Sequence, residues 1–247
     1  MNYYLERATE IAEKLAEYRQ HQHMYPELGT DMKGAAAYVS EQLQAIGCTP
    51  QQVGRCGVVC TIGRPGGKVF LLRADMDALP IQEESDLPFA SRTPGRAHCC
   101  GHDLHTAMLL AAHLLKERES ELDGLVKLMF QPGEETMEGA RDMLEAGVLE
   151  TPHVDAAMAI HVNSIVPTGR MLVFHGPVCA SSDLFTIRVY GKGGHGSRPD
   201  ETVDPINAAC HIYVALQELQ ARELRAGETG VLTVGSIHGG VANRVSV

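Results

Sequence analysis

The sequence has no tryptophan, and aromatic residues make up only 5% of its 247 residues. Aliphatic side chains and methionine must therefore fill the hydrophobic core. No apolar run approaches the ~18 residues that a membrane-spanning helix needs. The formal charge is -10 and basic residues do not cluster. Nucleic acid and membranes are therefore not expected as partners.

The N-terminal segment also lacks the apolar centre of a signal peptide, since MNYYLERATEIAEKLAEYRQ carries charges throughout. A cytoplasmic location is the resulting expectation. The cysteines are seven, an odd number, and do not suggest a disulfide framework. We expect most of them to be reduced and buried as small apolar side chains, namely Cys48, Cys56, Cys60, Cys179 and Cys210.

Helical and strand-like patterns alternate along the first two thirds of the chain. Helices are expected over 3–19, 31–46 (ending at Gly47), 106–118 (with Asp103 as N-cap) and 137–147, and strands over 56–62, 68–74, 125–131, 155–161 and 171–175. The RPGG segment at 64–67 suggests a hairpin-like turn between the first two strands. This alternation predicts an α/β domain with a largely parallel sheet.

A second, smaller unit is expected to follow. Its pattern predicts strands over 181–192 and 229–237 and a long helix over 204–224. We therefore assign residues 1–178 to one domain and 179–247 to another.

Two motifs concentrate groups that are costly to bury without partners. HCCGHDLH occupies residues 98–105, and QPGEE occupies residues 131–135. Cys100 and His102 are two residues apart, so a thiolate and an imidazole can reach one borderline metal ion such as zinc. The alternative is that Cys99 and Cys100 fill the core and His102 is an ordinary loop histidine.

Other polar residues follow predicted strands, at the edge where ligands bind in parallel sheets. Glu134 and Glu135 could divide their work, one binding a metal and the other acting as general base; they could also be exposed loop carboxylates. His161 could equally be a core histidine. Asp75 and Asp77 could orient a ligand histidine or cap a turn, and His105 is expected to support the site or lie on the surface rather than bind metal.

Two further residues lie in glycine-rich stretches of the second unit. His195 lies within GKGGHGSRP, which lacks the pattern of a phosphate-binding loop, so nucleotide binding is not expected. Asn243 lies in a comparable stretch. For both residues, a functional role and a plain loop role remain open.

Taken together, HCCGHDLHTA, QPGEE, RADMDALPIQEESDLPFAS, AIHV, GKGGHGSRP and the early HQHMYPELG resemble the aminoacylase, hippurate hydrolase and auxin-conjugate hydrolase branch of the dinuclear metallopeptidases. The resemblance extends along essentially the whole chain. It implies a three-layer αβα catalytic domain with an inserted α/β lid that commonly forms a homodimer. It also implies two divalent metal ions, zinc or manganese, and hydrolysis of the amide bond of N-acyl amino acids.

The resemblance also implies roles for individual residues. It assigns metal binding to Cys100, His102, Glu135 and His161, general base catalysis to Glu134, an orienting function to Asp75, stabilisation of the oxyanion to His195, often in the partner subunit's site, and substrate binding to His195 and Asn243.

The sequence departs from the family pattern in three places. Leu104 replaces a small residue, Asp200 stands where a histidine is common, and the family's chain continues well beyond Val247 and supplies one more ligand histidine. We therefore expect a C-terminally incomplete domain, a fragment or truncated product with one weak metal site, little activity and an exposed apolar face. The alternative functions are a non-catalytic metal-binding or interaction module and, less favoured because adjacent cysteines form strained disulfides, a thiol redox protein using Cys99 and Cys100.

Overall fold

The structure is a computed structural model that describes residues 3–176, 178–241 and 244–245. None of the helices in these ranges is long and apolar enough to cross a lipid bilayer. The chain divides into two compact units between Thr168 and Gly169. The assignment of 1–178 to a catalytic domain and 179–247 to a lid stays a prediction, because a structural boundary does not assign a role.

The N-terminal unit is built around one five-stranded sheet. Its strands are β1 (Gln51–Val53), β2 (Gly57–Gly63), β3 (Lys68–Asp75), β4 (Gly124–Gln131) and β5 (Ala156–Ala159). Their order is β1-β2-β4-β3-β5, with β3 parallel to β4 and β5, and β2 antiparallel to β1 and β4. The α/β class is confirmed, but the expectation of a largely parallel sheet is wrong because the sheet is mixed.

The predicted hairpin between β2 and β3 is also wrong. Although the two strands are joined by a short turn, β4 lies between them and pairs with both. Val58 of β2 faces Phe130 on one edge of β4, and Ala74 of β3 faces the same residue on the other edge. Strand β4 is mostly buried, and its central position gives it a strand partner on both edges. If β2 and β3 paired directly as a hairpin, β4 could pair with only one of them.

Successive residues of the sheet enter two separate hydrophobic clusters, one on each face. Ile62, Leu128 and Phe130 pack with the helices α2 (Ala12–Met24), α3 (Lys33–Ala45) and α4 (His102–Leu110). Val59 and Met129 pack on the opposite face, against Met143 of α6 (Gly139–Glu145). Helices therefore cover both faces, as the two-residue periodicity of strands requires. The remaining helices of this unit are α1 (Tyr3–Glu10) and α5 (His113–Glu117).

The helix boundaries correct several expectations. The first helix is interrupted at Ile11, and the helix predicted over 106–118 is divided between α4 and α5. Asp103 is not an N-cap: helix α4 begins one residue earlier, behind Gly101, whose φ of 97° is in the left-handed region. Asp103 instead accepts hydrogen bonds from distant side chains. Gly47 ends the second predicted helix as expected, with a φ of 79°.

The second unit contains one long helix, α7 (Pro205–Arg222), as predicted. The Asp204 side chain caps it by accepting hydrogen bonds from the N–H groups of Ile206 and Asn207 at 2.9 and 3.2 Å. Two short strands, β6 (Gly194–His195) and β7 (Arg244–Val245), pair antiparallel.

The strands predicted over 171–175, 181–192 and 229–237 do not form, although the structure describes all of these residues. Their apolar side chains are largely exposed, and a strand is stable only when a neighbouring strand accepts its backbone hydrogen bonds. Burial of the cysteines follows the same division. Cys48, Cys56 and Cys60 are buried as expected, whereas Cys179 and Cys210 are exposed, contrary to expectation.

Candidate metal centre

Three strands of the N-terminal unit end at the same edge of the sheet. Asp75 at the end of β3 pairs with Gln131 at the end of β4, and Arg73 of β3 pairs with Ala159 at the end of β5. The residues that follow these ends, including Glu134 and His161, therefore lie close together, as the sequence predicted. The structure thus brings together residues that are up to 86 positions apart.

His102, the first residue of helix α4, lies beneath these strand ends and is fully buried. Its Nε2 is 3.7 Å from Oε1 of Glu135, 4.0 Å from Oε2 of Glu134 and 3.8 Å from Oδ2 of Asp75. Neither ring nitrogen of His102 has a hydrogen-bond partner among the described residues. The buried imidazole of His102 is thus surrounded by carboxylates, but none of them forms a hydrogen bond with its ring nitrogens.

Three sets of metal-ligating atoms overlap at His102. In each set, the ligand atoms all lie within 4.8 Å of one another, and the sets are Cys100 with His102 and His161, His102 with Glu134 and Glu135, and Asp75 with His102 and His105. The Sγ of Cys100 is 3.5 Å from Nε2 of His161. Such overlap is the arrangement that two neighbouring ions with a shared ligand region would need.

The electrostatics of this cluster favour a cation. Burial, together with the carboxylates of Glu135 and Glu134, raises the pKa of Cys100 to about 12. Burial opposes protonation of His102, but the carboxylates of Asp77 and Asp75 outweigh it and raise the pKa of this imidazole. The negative charge of the neighbouring carboxylates contributes to both shifts, and a divalent ion would neutralise this charge.

The donor groups fit a divalent metal of borderline softness. They offer one thiol, imidazole nitrogens and carboxylates, a combination that suits zinc and similar ions. His161 donates from Nδ1 to the carbonyl of Val162 at 2.6 Å, and its Nε2 lies 3.5 Å from the thiol of Cys100. The unpartnered Oε1 of Glu135 and nitrogens of His102 are the atoms that an ion would satisfy.

The structure shows contacts for both aspartates whose roles were left open. The two carboxylate oxygens of Asp77 accept the backbone N–H groups of Glu134 and Glu135 at 2.9 and 3.0 Å, and Oδ1 is 3.5 Å from Nδ1 of His102. Asp77 therefore joins the glutamate segment to the buried histidine. The sequence signal was its position two residues after Asp75, which places both side chains on one side of an extended segment.

Asp75 has different neighbours. It accepts a hydrogen bond from Nδ1 of His105 at 2.5 Å and forms an ion pair with Arg73 at 2.8 Å. Burial alone would raise the pKa of Asp75, but the His105 hydrogen bond and the charge of Arg73 lower it to about 2. Asp75 is thus a permanent anion beside the cluster, and His105 is buried, not a surface residue.

A second buried polar cluster lies near this edge and was not predicted. His23 of α2 donates from Nδ1 to Asp103 at 2.9 Å and from Nε2 to Glu83 at 3.0 Å. Since both ring nitrogens donate, the imidazole is positively charged; the hydrogen bond to Asp103 raises its pKa against the effect of burial. Nearby His98 is neutral, because burial lowers its pKa to about 4. No local pattern connects these residues, which come from distant segments.

The remaining predicted site residues belong to the second unit. His195 is exposed in β6, and its Nδ1 accepts hydrogen bonds from the N–H of Ser197 at 3.2 Å and from the hydroxyl of Ser197 at 2.8 Å. The neutral ring therefore carries its proton on Nε2. Asn243 lies outside the described residues, so the structure does not place it.

Comparison with known proteins identifies related chains. The model of peptidase family M20/M25/M40 matches residues 71–231. The IAA-amino acid hydrolase ILR1-like 4 of Arabidopsis thaliana is 42% identical over 229 residues, which are 92% of this chain and 52% of the plant protein. An N-acyl-L-amino acid amidohydrolase of Geobacillus stearothermophilus is 38% identical over 240 residues, 96% of this chain and 64% of the relative.

A solved structure agrees with these relatives. The YXEP protein of Bacillus subtilis, described as a dinuclear metal-binding peptidase from the M20 family, is 36% identical with a TM-score of 0.68, over 85% of this chain and 57% of that one. The chain thus spans between 52% and 64% of the length of the two curated relatives. The family match covers most of the chain, including the strand ends, the glutamate pair and His161, and confirms the resemblance inferred from the motifs: this chain belongs to peptidase family M20/M25/M40, a family of metal-dependent hydrolases.

Proposed function

We propose that this chain carries the metal centre of an amidohydrolase that cleaves the amide bond of N-acyl amino acids into a carboxylate and an amine. One observation carries the proposal: a fully buried His102, with both nitrogens unpartnered among the described residues, is shared by three sets of ligand atoms. The names of two relatives, an IAA-amino acid hydrolase and an N-acyl-L-amino acid amidohydrolase, support the substrate class.

The proposed ligands of two divalent ions, zinc or manganese, are Cys100, His102, Glu135 and His161. Bound ions would supply Lewis-acid polarisation of the amide carbonyl and a more acidic water. The thiol of Cys100 must lose its proton to bind, since its pKa is raised in the cluster without an ion. A thiolate and two imidazoles favour zinc among the common cations.

Glu134 is the proposed general base. Its side chain is 41% exposed, more than the 25% of Glu135, so it is the member of the pair that can reach both water and substrate. Asp77 holds the backbone N–H of Glu134 and thereby aims the side chain at the cluster. Glu134 would take the proton of the attacking water and transfer it to the leaving amine.

The second unit contains two residues that are proposed to act on the substrate. His195 presents a protonated Nε2, which could donate a hydrogen bond to the oxyanion that forms at the amide carbon. Asn243 is proposed to bind substrate on the family resemblance alone. The same resemblance supports a three-layer catalytic domain, a lid formed from 179–247 and a homodimer through that lid.

The experiment that tests the proposal is a comparison of Glu134→Gln with the wild-type protein. The wild type is assayed both as this chain and in a form extended to the length of its relatives. When loaded with zinc or manganese, the extended form should release free amine from a panel of N-acetyl and N-benzoyl amino acids, and this chain should do so weakly. Glu134→Gln should lower kcat by about 10²- to 10⁴-fold, the usual contribution of a general base. Its metal content should be unchanged, because the proposed ligands remain.

Glu138→Gln is the matched control, since Glu138 is an exposed carboxylate close in sequence. It should leave kcat at the wild-type value. Equal activity of Glu134→Gln and wild type would overturn the proposed mechanism. Metal uptake in both forms with no turnover of any substrate in either form would overturn the enzymatic function and favour a non-catalytic metal-binding module.

A further inference from the structure

His105 is a buried imidazole that the proposed ligand set does not use. It lies in helix α4, three residues after His102, and is almost inaccessible to solvent. The N–H of Val162 donates to its Nε2 at 2.9 Å, so Nε2 is unprotonated. The proton is therefore on Nδ1, which donates to Oδ1 of Asp75 at 2.5 Å. Both nitrogens are satisfied, and each contacts a different strand end.

The Asp75 side of this connection is rigidly anchored. Arg73 pairs with the other carboxylate oxygen at 2.8 Å, and the hydroxyl of Thr106 donates to the Asp75 carbonyl at 3.0 Å. Asp75 is itself the last residue of β3, which is paired on both sides. His105 is therefore held by an interior strand of the sheet.

The Val162 side is different, because it follows an edge strand. Strand β5 pairs only with β3 among the described strands, and its residues are exposed. The segment after β5 therefore receives little support from the sheet. It does contact the start of helix α4: the Val162 side chain occupies the space that a Cβ on Gly101 would need.

Val162 is in turn directly connected to His161. Its carbonyl accepts the Nδ1–H of His161 at 2.6 Å, which leaves Nε2 of His161 facing the thiol of Cys100 at 3.5 Å. The rings of His105 and His161 also meet edge to face, with centroids 4.4 Å apart and planes at 74°. One residue, Val162, thus contacts both histidines through two successive peptide units: its N–H donates to His105, and its carbonyl accepts from His161.

We propose that His105 is a positioning residue: by donating to Asp75 and accepting from Val162, it holds the segment after the edge strand so that His161 presents a bare Nε2 beside Cys100. The functional role of His105 rests on the proposed metal centre, but its hydrogen bonds to Asp75 and Val162 form without any ion. It assigns to His105 no contact with substrate or metal.

Two amide substitutions separate the two hydrogen bonds of His105. In His105→Asn, the side-chain N–H₂ can replace Nδ1 and donate to Asp75, but nothing replaces the acceptor for Val162. In His105→Gln, the amide oxygen can replace Nε2 and accept from Val162. The inference predicts that only the first variant releases His161. His113→Asn is the matched control, because it removes the hydrogen bond between His113 and Tyr18 (2.8 Å) away from the strand ends.

The measurements are Co²⁺ titration, followed by the thiolate and d–d absorption bands, and ¹⁵N NMR of the histidine rings without metal. We expect His105→Asn to weaken Co²⁺ affinity by about 10- to 100-fold, the usual effect of losing a group that orients a ligand. His105→Gln and His113→Asn should remain within a few-fold of wild type. In the metal-free wild type, His105 and His161 should both carry the proton on Nδ1, and His161 should lose this signature in His105→Asn only.

The outcomes separate this inference from the proposed function. Wild type that binds no Co²⁺ overturns the metal centre, while the ¹⁵N spectra still decide whether His105 controls the tautomer of His161. Co²⁺ binding with equal affinity in wild type and both His105 variants overturns the inference and leaves the metal centre standing. If His105→Asn does not fold, the wild-type spectrum decides: a proton on Nε2 of His105 contradicts the inference.

Discussion

The two units of this chain contain similar apolar segments but bury them very differently. In the N-terminal unit, Leu128 and Phe130 of β4 are fully inaccessible, between neighbouring strands and below helices. In the second unit, Leu184 and Val231 belong to segments that were also predicted to be strands, yet they are 83% and 84% exposed. Helix α7, at 18 residues the longest helix in the described ranges, buries only Pro205.

The difference shows that an alternating apolar pattern is necessary for a strand but does not create one. Strands β3 and β4 form because each supplies the other's hydrogen bonds along eight residues. The segment 229–237 has a comparable composition but no ladder partner in the described structure. Its backbone groups therefore lack strand partners, and apolar side chains such as those of Val231 and Ile237 are exposed, which is costly for both. Three experiments would test how far this contrast extends in solution.

Amide hydrogen exchange should show the largest difference. Strand β4 is mostly buried and pairs with a strand on each edge, whereas residues 229–237 belong to no strand. After correction for intrinsic rates, we expect β4 to exchange about 10³-fold more slowly or more, because opening energies range from near zero to the global stability. Mass spectrometry of peptic peptides measures this ratio. Comparable protection of the two segments would remove the contrast.

Truncation of a phenylalanine in each unit should give the next largest difference. Phe130→Ala removes a fully buried ring and should lower the free energy of unfolding by about 3–5 kcal/mol. Phe185→Ala removes a ring that is 57% exposed and should change it by no more than about 0.5 kcal/mol. Urea unfolding followed by circular dichroism gives both values. A cost above about 2 kcal/mol for Phe185→Ala would mean that this side chain is buried in solution.

The pH dependence of stability should show the smallest difference. The hydrogen bond to Asp103 raises the pKa of His23 in the folded state. A raised pKa means that the stabilisation is complete below the ordinary value of about 6.5 and is lost as pH rises through the folded-state value. The free energy of unfolding of wild type should therefore decline above pH 6.5, and His23→Gln should flatten this decline.

The control for this prediction is His195→Gln, since His195 is exposed in the second unit. Its pH profile should follow that of wild type. Urea unfolding at intervals between pH 6 and pH 9 provides the measurement. A profile of His23→Gln that is parallel to wild type would show that the buried cluster of His23, Asp103 and Glu83 does not contribute to this pH dependence.

The candidate metal centre was the part of the molecule that the sequence predicted best. Its residues follow apolar runs, and the carboxyl ends of neighbouring parallel strands meet at one edge, so Asp75, Glu134 and His161 could be expected together. The wrong predictions concerned which strands pair and which side chains form hydrogen bonds with each other. The RPGG turn suggested a hairpin, but β4 inserted between its strands. Asp103 suggested a helix cap, but it accepts hydrogen bonds from Arg19 and His23, which are 84 and 80 residues away.

What the sequence determined by itself was local. Apolar periodicity predicted α7 and the central strands, Asp204 and Gly47 marked helix ends, and the spacing of Cys100, His102 and the glutamate pair indicated metal chemistry, because these effects act between residues that are close along the chain. Only the tertiary structure decided which strand accepts each strand's hydrogen bonds, that Asp77 holds the glutamates, and that His105 joins Asp75 to Val162. Those contacts link segments tens of residues apart, and their energies depend on the packing of the whole sheet.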